Sequence, residues 1–376
     1  MTTPAWNGST WMKDQHISLP LHKLIIPGSH DAGAYKLYAR EVAPFAPSLL
    51  KSCWIQYLCC CIPLNFAKAQ TGTLYDQLSA GSRYLDVRIA FDMKTQRLRT
   101  EHSLYGPPVR ELLSQIARFV HQEASEIVIL HLRHFRVKQY YDMTDAHHAL
   151  LVQIIQNIFD TDHFVRHNEL QLSFQELKQK NRRIVLIYGT ADTCVVNETW
   201  ILSEKSVIPG GVGWLNAQTT QDMVASMKLL ANTSTDHSYH KIAAAITPNE
   251  QLIKAGVVNC ICCGICRLIC AQSCKAPAGL GEVSDVVSDA LIEELPTMVK
   301  QQGTHFNILD MDHVVRQQKR NRLIETIVML NGAQCQHVVG EDKAKLIAPE
   351  ERVAFANGEA EKVEEKVAAG AVGAAK

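Results

Sequence analysis

The chain has 376 residues, 47% of them apolar, enough for a sizeable core in one large α/β barrel or two medium domains. Its 38 basic residues balance 38 acidic ones, which argues against a nucleic-acid partner. No apolar run reaches the roughly 18 residues of a membrane span, and Met1 to Asp14 has neither the basic nor the apolar region of a secretory signal.

The first predicted strand runs from Leu24 into Pro27-Gly28 and delivers Ser29, His30 and Asp31 at its end. The second, Gly81 to Ile89, carries Asp86 and Arg88 on one face, because side chains two apart on a strand share a face. A third ends at His102, after Arg99-Thr100-Glu101. Pro108 to Ser125 reads as a helix with Val109, Leu112, Leu113, Ile116, Phe119 and Val120 on one side. Glu126 to Phe135 is a buried strand, and Asp145 is expected to cap the next helix, which carries Leu151, Ile154 and Ile155. Ser173 to Lys180 forms a short helix before the strand Arg183 to Gly189. A strand around Trp214 within Gly210 to Asn216 precedes a helix from Thr219 to Leu230. Further strands fall at Ile242 to Pro248 and His305 to Asp310, and helices at Ser284 to Gln301 and Val315 to Leu330. Alternating units with continuous apolar strands predict a parallel sheet covered by helices, and about eight strands favour a closed (β/α)8 TIM-type barrel of a single domain. The expected domain covers residues 11–332, with 333–376, rich in Ala, Glu, Lys and Val, as a helical or disordered extension.

Ten of the twelve cysteines fall in two clusters, at Cys53, Cys59, Cys60 and Cys61 and at Cys260, Cys262, Cys263, Cys266, Cys270 and Cys274. Without a secretion signal a disulfide framework is not expected. Cys263 and Cys266 have zinc-knuckle spacing, but Ile261, Ile265, Leu268 and Ile269 make the segment greasy where structural zinc loops are polar. The two clusters lie in segments 44–66, after the first expected strand, and 256–279, between the seventh and eighth, and strands one and eight are neighbours in a closed barrel. Trp54, Leu58 and Ile265 are the expected membrane contacts, with Lys51, Lys68, Arg267 and Lys275 around them, the composition of a surface that dips into an anionic bilayer. The clustered cysteines also suit S-palmitoylation. The competing expectation is a buried cap or a dimer interface, and the oligomeric state is left open.

Two histidines, two acids and an arginine at the ends of early strands are the parts for general acid–base chemistry on a phosphate ester. In that order, IPGSHD, GSRYLDVRI and the histidine of EHSLYG resemble the X-domain of phosphatidylinositol-specific phospholipases C, both the bacterial enzymes and the small eukaryotic X-domain-only proteins. EIVILHLRHF, the Ile246-Thr247-Pro248 strand end and FNILDMD agree as well. The resemblance implies that His30 is the general base removing the proton of the inositol 2-hydroxyl, whose oxygen attacks phosphorus and expels diacylglycerol. It implies that Arg88 stabilises the phosphate charge and that His102, helped by Asp31, protonates the departing oxygen. Asp312 matches the acid that orients His30, with Asp310 its rival two residues earlier, and Arg133 falls where the family places a basic residue that contacts the inositol. Asp86 is expected to touch substrate, with orienting Arg88 or simply beginning the loop as the alternatives. Ser103 stands where the family usually has glycine.

Calcium-using members carry an acid at the Arg88 position and an asparagine after the first histidine. Arg88 and Asp31 therefore imply a metal-independent enzyme with no cofactor, and the resemblance implies that it acts on an inositol phospholipid at a membrane surface. The lack of a visible signal or membrane span gives the expectation of a cytoplasmic, peripherally membrane-associated protein. Two alternatives stand beside it: a phosphodiesterase of the same fold acting on another phospholipid or a glycerophosphodiester, and a non-catalytic lipid- or membrane-binding protein.

Overall fold

The computed structural model describes residues 6–13, 18–44, 46, 51, 61–138, 141–189, 198–210, 213–231, 238–247, 279–301, 305–315 and 322–332. The extension expected at 333–376 lies outside the described residues. Strand β1, Ile26–Ser29, pairs in parallel with β2, Tyr84–Asp92, on one side and with β10, Ile308–Met311, on the other. Beyond β2 follow β5, Val128–Lys138, then β7, Ile184–Tyr188, then β8, Leu202–Ser203, all parallel, with the short β6, Tyr141–Asp142, antiparallel to the end of β5. Beyond β10 lies β9, Lys241–Ala243, and Trp214 adds a parallel bridge to Ala243. First and last strands are thus neighbours, the order of a TIM-type α/β barrel.

Among the described residues no ladder joins β8 to Trp214. There β8 has two residues, and the described part of the expected strand at Gly210 to Asn216 contributes the bridge at Trp214. Two further expectations change. The strand ending at His102 is not a barrel strand: β3, Arg97–His102, and β4, Leu104–Pro108, form an antiparallel hairpin built onto β2. The cap of the helix at 145 is Thr144, in a reciprocal capping box with His147, and Asp145 is the first helical residue.

Alternation along the strands explains what faces the barrel axis. Leu85, Val87 and Ile89 of β2 and Leu130 and Leu132 of β5 pack outward, in one core cluster with Leu112, Ile116 and Phe119 of helix α3, Val109–Gln122. Tyr84, Asp86 and Arg88, and likewise Ile129, His131 and Arg133, then point the other way. The remaining helices are α1, Cys61–Ala67; α2, Leu74–Ser79; α4, Asp145–Gln156; α5, Phe174–Gln179; α6, Glu204–Val207; α7, Thr220–Ala231; α8, Leu280–Val299; and α9, 322–332. None of the described helices is long and apolar enough to cross a membrane.

The N-terminal end of the sheet is held by one ion pair. Arg83 is fully buried; its Nε and Nη2 donate to Glu126 Oε2 at 2.9 and 2.6 Å, and its remaining N–H groups donate to the carbonyls of Gly8, Ser9, Leu78 and Ser82. Arg83→Ala strands the buried Glu126 carboxylate, so chemical denaturation should show a loss of about 3–5 kcal/mol. A change under about 1 kcal/mol would mean that water relieves the pair.

Candidate active site

Gly28 is needed where β1 meets its neighbours: a Cβ there would stand 3.0 Å from Tyr84 Cδ1 and 3.2 Å from the Leu309 carbonyl. The strand therefore sits tight against β2 and β10, and the chain turns directly after His30, with Asp31 at φ 44°. Gln70 fastens this turn. Its Nε2 donates to the carbonyls of His30 and Met311 at 2.8 and 2.9 Å, and its Oε1 accepts from the Val314 N–H at 3.0 Å.

Asp31 is the hub of the polar cluster. One carboxylate oxygen, Oδ2, lies 3.5 Å from His30 Nε2 and 3.3 Å from His102 Nε2, while Oδ1 meets Arg88 Nε. His30 Nδ1 is 2.8 Å from Asp312 Oδ1, and the ring lies against Trp214 at 5.0 Å between centroids. His30 Nε2 also stands 3.4 Å from Arg88 Nη2. Both protonation states of the ring thus find a neighbour at Nε2: the imidazolium lies within ion-pair distance of Asp31, and the neutral ring accepts from Arg88.

His102 is set by the hairpin and by α1. Its Nδ1 lies 2.6 Å from the Ala67 carbonyl, so both ring nitrogens face oxygen atoms. The turn after it needs a positive φ, which Ser103 adopts at 60°; glycine takes that conformation freely. In β5, positive φ at His134 and Phe135 and a register shift opposite Arg88 to Ala90 mark a bulge directly after Arg133. Arg133 Nη1 reaches to 3.6 Å from Asp86 Oδ2.

Burial works against charge throughout, and the partners decide the outcome. His30 is buried, yet the carboxylates of Asp31 and Asp312 overcome desolvation and push its pKa up to about 9. Burial would raise Asp31, but Arg88, His30 and His102 hold its carboxyl below the ordinary value. Asp86 is held well below the usual range, against burial, by Lys241, Arg133 and Arg88. Burial lifts Asp310 to about 6, with Lys241 pulling the other way. Asp31, Asp86, Asp310 and Asp312 therefore face Arg88, Arg133, Lys241 and the His30 imidazolium, and the cluster is balanced before any anion enters. His30, Asp31 and Asp86 offer ligand atoms within 4.8 Å of one another, the span of a cation site, but Arg88 and Lys241 already pair with those two carboxylates.

No family model matches the chain. It is similar to the PI-PLC X domain-containing protein 2 of Homo sapiens, 28% identical over 249 residues that cover 64% of this chain and 77% of that protein. The PI-PLC X domain-containing protein 3 of Danio rerio is 29% identical over 262 residues, 66% of this chain and 77% of that protein. The likeness is to the phosphatidylinositol-specific phospholipase C X-domain family. The phosphatidylinositol-specific phospholipase C from Listeria monocytogenes shares the fold of this X-domain-like chain, with a TM-score of 0.56 at 16% identity over 87% of this chain and 99% of that one.

In this X-domain-like barrel, His30, Asp31, Arg88, His102 and Asp312 come together in one cluster, and Asp86 and Arg133 adjoin it. Asp310 points to Lys241 Nζ, 2.7 Å away, and Asp312 is the acid in contact with His30. Trp54, Leu58 and Ile265, expected to contact membrane, lie outside the described residues. Sequence reasoning missed Lys241, the Gln70 clamp and Trp214 on His30. It also missed a buried chain in which Tyr84 Oη lies 2.6 Å from His131 Nδ1 and His131 Nε2 lies 3.0 Å from Glu204 Oε2. The lysine within Lys241-Ile242-Ala243-Ala244-Ala245-Ile246, a lone charge in an apolar run, was a usable signal; Trp214 gave none, because its partner is distant in sequence.

The raised His30 pKa can be tested directly. Titration of ring-labelled histidine by NMR should give about 9 for the wild type. Asp312→Asn removes the negative charge in contact and should lower it more than Asp310→Asn does. Equal shifts would show that the two acids act on the ring alike. By linkage, the stability that His30 contributes is fully present below about 6.5 and is lost as pH rises through about 9.

Proposed function

We propose that the chain is a phospholipase C that cleaves phosphatidylinositol or a close relative to diacylglycerol and cyclic inositol phosphate by general acid–base catalysis, without a metal ion. The observation that carries this reading is the arrangement at Asp31: two imidazoles on one carboxylate oxygen and a guanidinium on the other. An internal displacement at phosphorus needs a base on the attacking hydroxyl, an acid on the leaving oxygen and a cation on the phosphoryl oxygens between them. His30, His102 and Arg88 supply these in that order. Asp312 orients His30, and Asp86 and Arg133 take headgroup hydroxyls. Arg88 puts its positive charge beside Asp31, where a cation would otherwise sit, which supports a reaction independent of metal. The names of the relatives and of the Listeria monocytogenes enzyme support the same substrate class.

The reading carries a pH signature. With its pKa at about 9, His30 is neutral and able to accept a proton in only ~1% of molecules at pH 7. With His102 replaced by alanine, so that only the base titrates, kcat/KM should climb about tenfold per pH unit and level off near 9. A flat profile of that variant from pH 6.5 upward would contradict His30 as the base.

A substrate panel tests the headgroup. Purified protein should release diacylglycerol from phosphatidylinositol vesicles and leave phosphatidylcholine and glycerophosphodiesters intact. Cleavage of those lipids instead would move the activity to another phosphodiester. Binding to vesicles with no cleavage of any lipid would leave the non-catalytic reading. Docking through segments 44–66 and 256–279 is proposed on their sequence. Replacing Trp54, Leu58 and Ile265 with serine should weaken binding to anionic vesicles and spare turnover of a water-soluble inositol phosphodiester.

A further inference from the structure

Lys241 is the long side chain that the reaction scheme leaves unused. It is buried, 1% exposed, on the short strand β9. Strand order around the sheet is β9, β10, β1, β2. Its ammonium reaches across the barrel interior and lies 2.7 Å from Asp310 Oδ2 on β10 and 2.9 Å from Asp86 Oδ2 on β2. These two strands flank β1, the strand that ends at His30. The lysine thus ties the strands on either side of the base to each other. A buried lysine costs desolvation unless it is paired, and here both carboxylates pair with it and raise its pKa in spite of burial.

With Oδ2 engaged by Lys241 and approached by Arg133, Asp86 Oδ1 is buried and has no hydrogen-bond partner among the described residues. An oxygen of this carboxylate lies within 4.8 Å of ligand atoms of His30 and Asp31. A buried acceptor left open beside a base is suited to a hydroxyl donor.

We propose that Lys241 is a positioning residue, which holds Asp86 so that its free oxygen accepts a hydroxyl of the polyol headgroup next to the one His30 deprotonates. The inference rests on the phospholipase reading and adds to it the group that fixes headgroup recognition.

Lys241→Met alone strands two buried carboxylates and is expected to fold poorly. The informative pair is Asp310→Asn and the double variant Lys241→Met with Asp310→Asn. In both, position 310 is neutral, and they differ only in the donor to Asp86, which keeps Arg133 as a counter-ion. Melting temperature, kcat and KM are measured for each on a water-soluble inositol phosphodiester. Binding of cyclic inositol phosphate is followed separately by NMR.

Relative to Asp310→Asn, the double variant should show KM raised about tenfold, kcat changed by less than about threefold, and probe binding weakened in parallel. KM and probe binding within about twofold of Asp310→Asn would overturn the positioning role. So would a fall in melting temperature with no change in KM, which would make Lys241 a structural counter-charge only. Wild-type protein that binds the probe without cleaving any inositol lipid would overturn the phospholipase reading alone, and the binding comparison would still decide on Lys241. Wild-type protein that neither binds nor cleaves would overturn both.

Discussion

His30→Ala and His102→Ala should each lower turnover by about 100- to 10,000-fold, the contribution of one general acid or base. The two losses should not multiply in the double variant, because both rings contact Asp31 and the proposed reaction uses them in one proton-transfer sequence. Their pH profiles should differ. Without His30 no rise toward pH 9 is expected, since the group that titrates there is gone. Without His102 a rise toward pH 9 is expected at a lower rate, and a substrate with a good leaving group should recover much of the loss, because such a group departs without a proton. A His30→Ala protein that keeps more than about a tenth of wild-type turnover would remove the base from the scheme.

Arg88→Lys should be nearly as damaging, at about 100- to 1,000-fold in kcat, the usual consequence of losing one donor to a charge that develops in the transition state. The charge is retained in this variant, so the loss reports geometry. Arg88 meets Asp31 through Nε, while its Nη2 stands 3.4 Å from His30 Nε2. A lysine ammonium is a single point on a flexible stem and cannot span the carboxylate, the imidazole and a phosphoryl oxygen together. Asp31 would lose the partner that most strongly keeps it ionised against burial, so its pKa should rise and both histidines should lose part of their anchor. Turnover within about threefold of wild type would mean that only the charge matters.

The sequence made the site legible where its chemistry is local. Ser29-His30-Asp31 closes an apolar strand, and Asp86 and Arg88 share a face by alternation, so that part of the cluster can be read from spacing and from the resemblance. Pairings set by tertiary register were not legible. Asp310 and Asp312 share parity in the chain, and only the position of β9 next to β10 shows that Lys241 engages the first and leaves the second to His30. Arg97 to His102 alternates like any strand, yet the turn at Ser103 makes it half of a hairpin outside the parallel series. The length of the pairing at Trp214, a single bridge among the described residues, was invisible for a related reason: composition places a strand near Trp214, whereas ladder length depends on how far two segments run side by side.

The most direct test of the reaction is 31P NMR of purified protein acting on phosphatidylinositol in mixed micelles near pH 9, with a chelator in excess. A cyclic inositol phosphodiester resonance is expected as the first product, formed at the same rate with and without the chelator, and slowed at least about 100-fold by Arg88→Lys and by His30→Ala. Direct appearance of the open-chain monophosphate with no cyclic intermediate, or activity that the chelator abolishes and calcium restores, would contradict it.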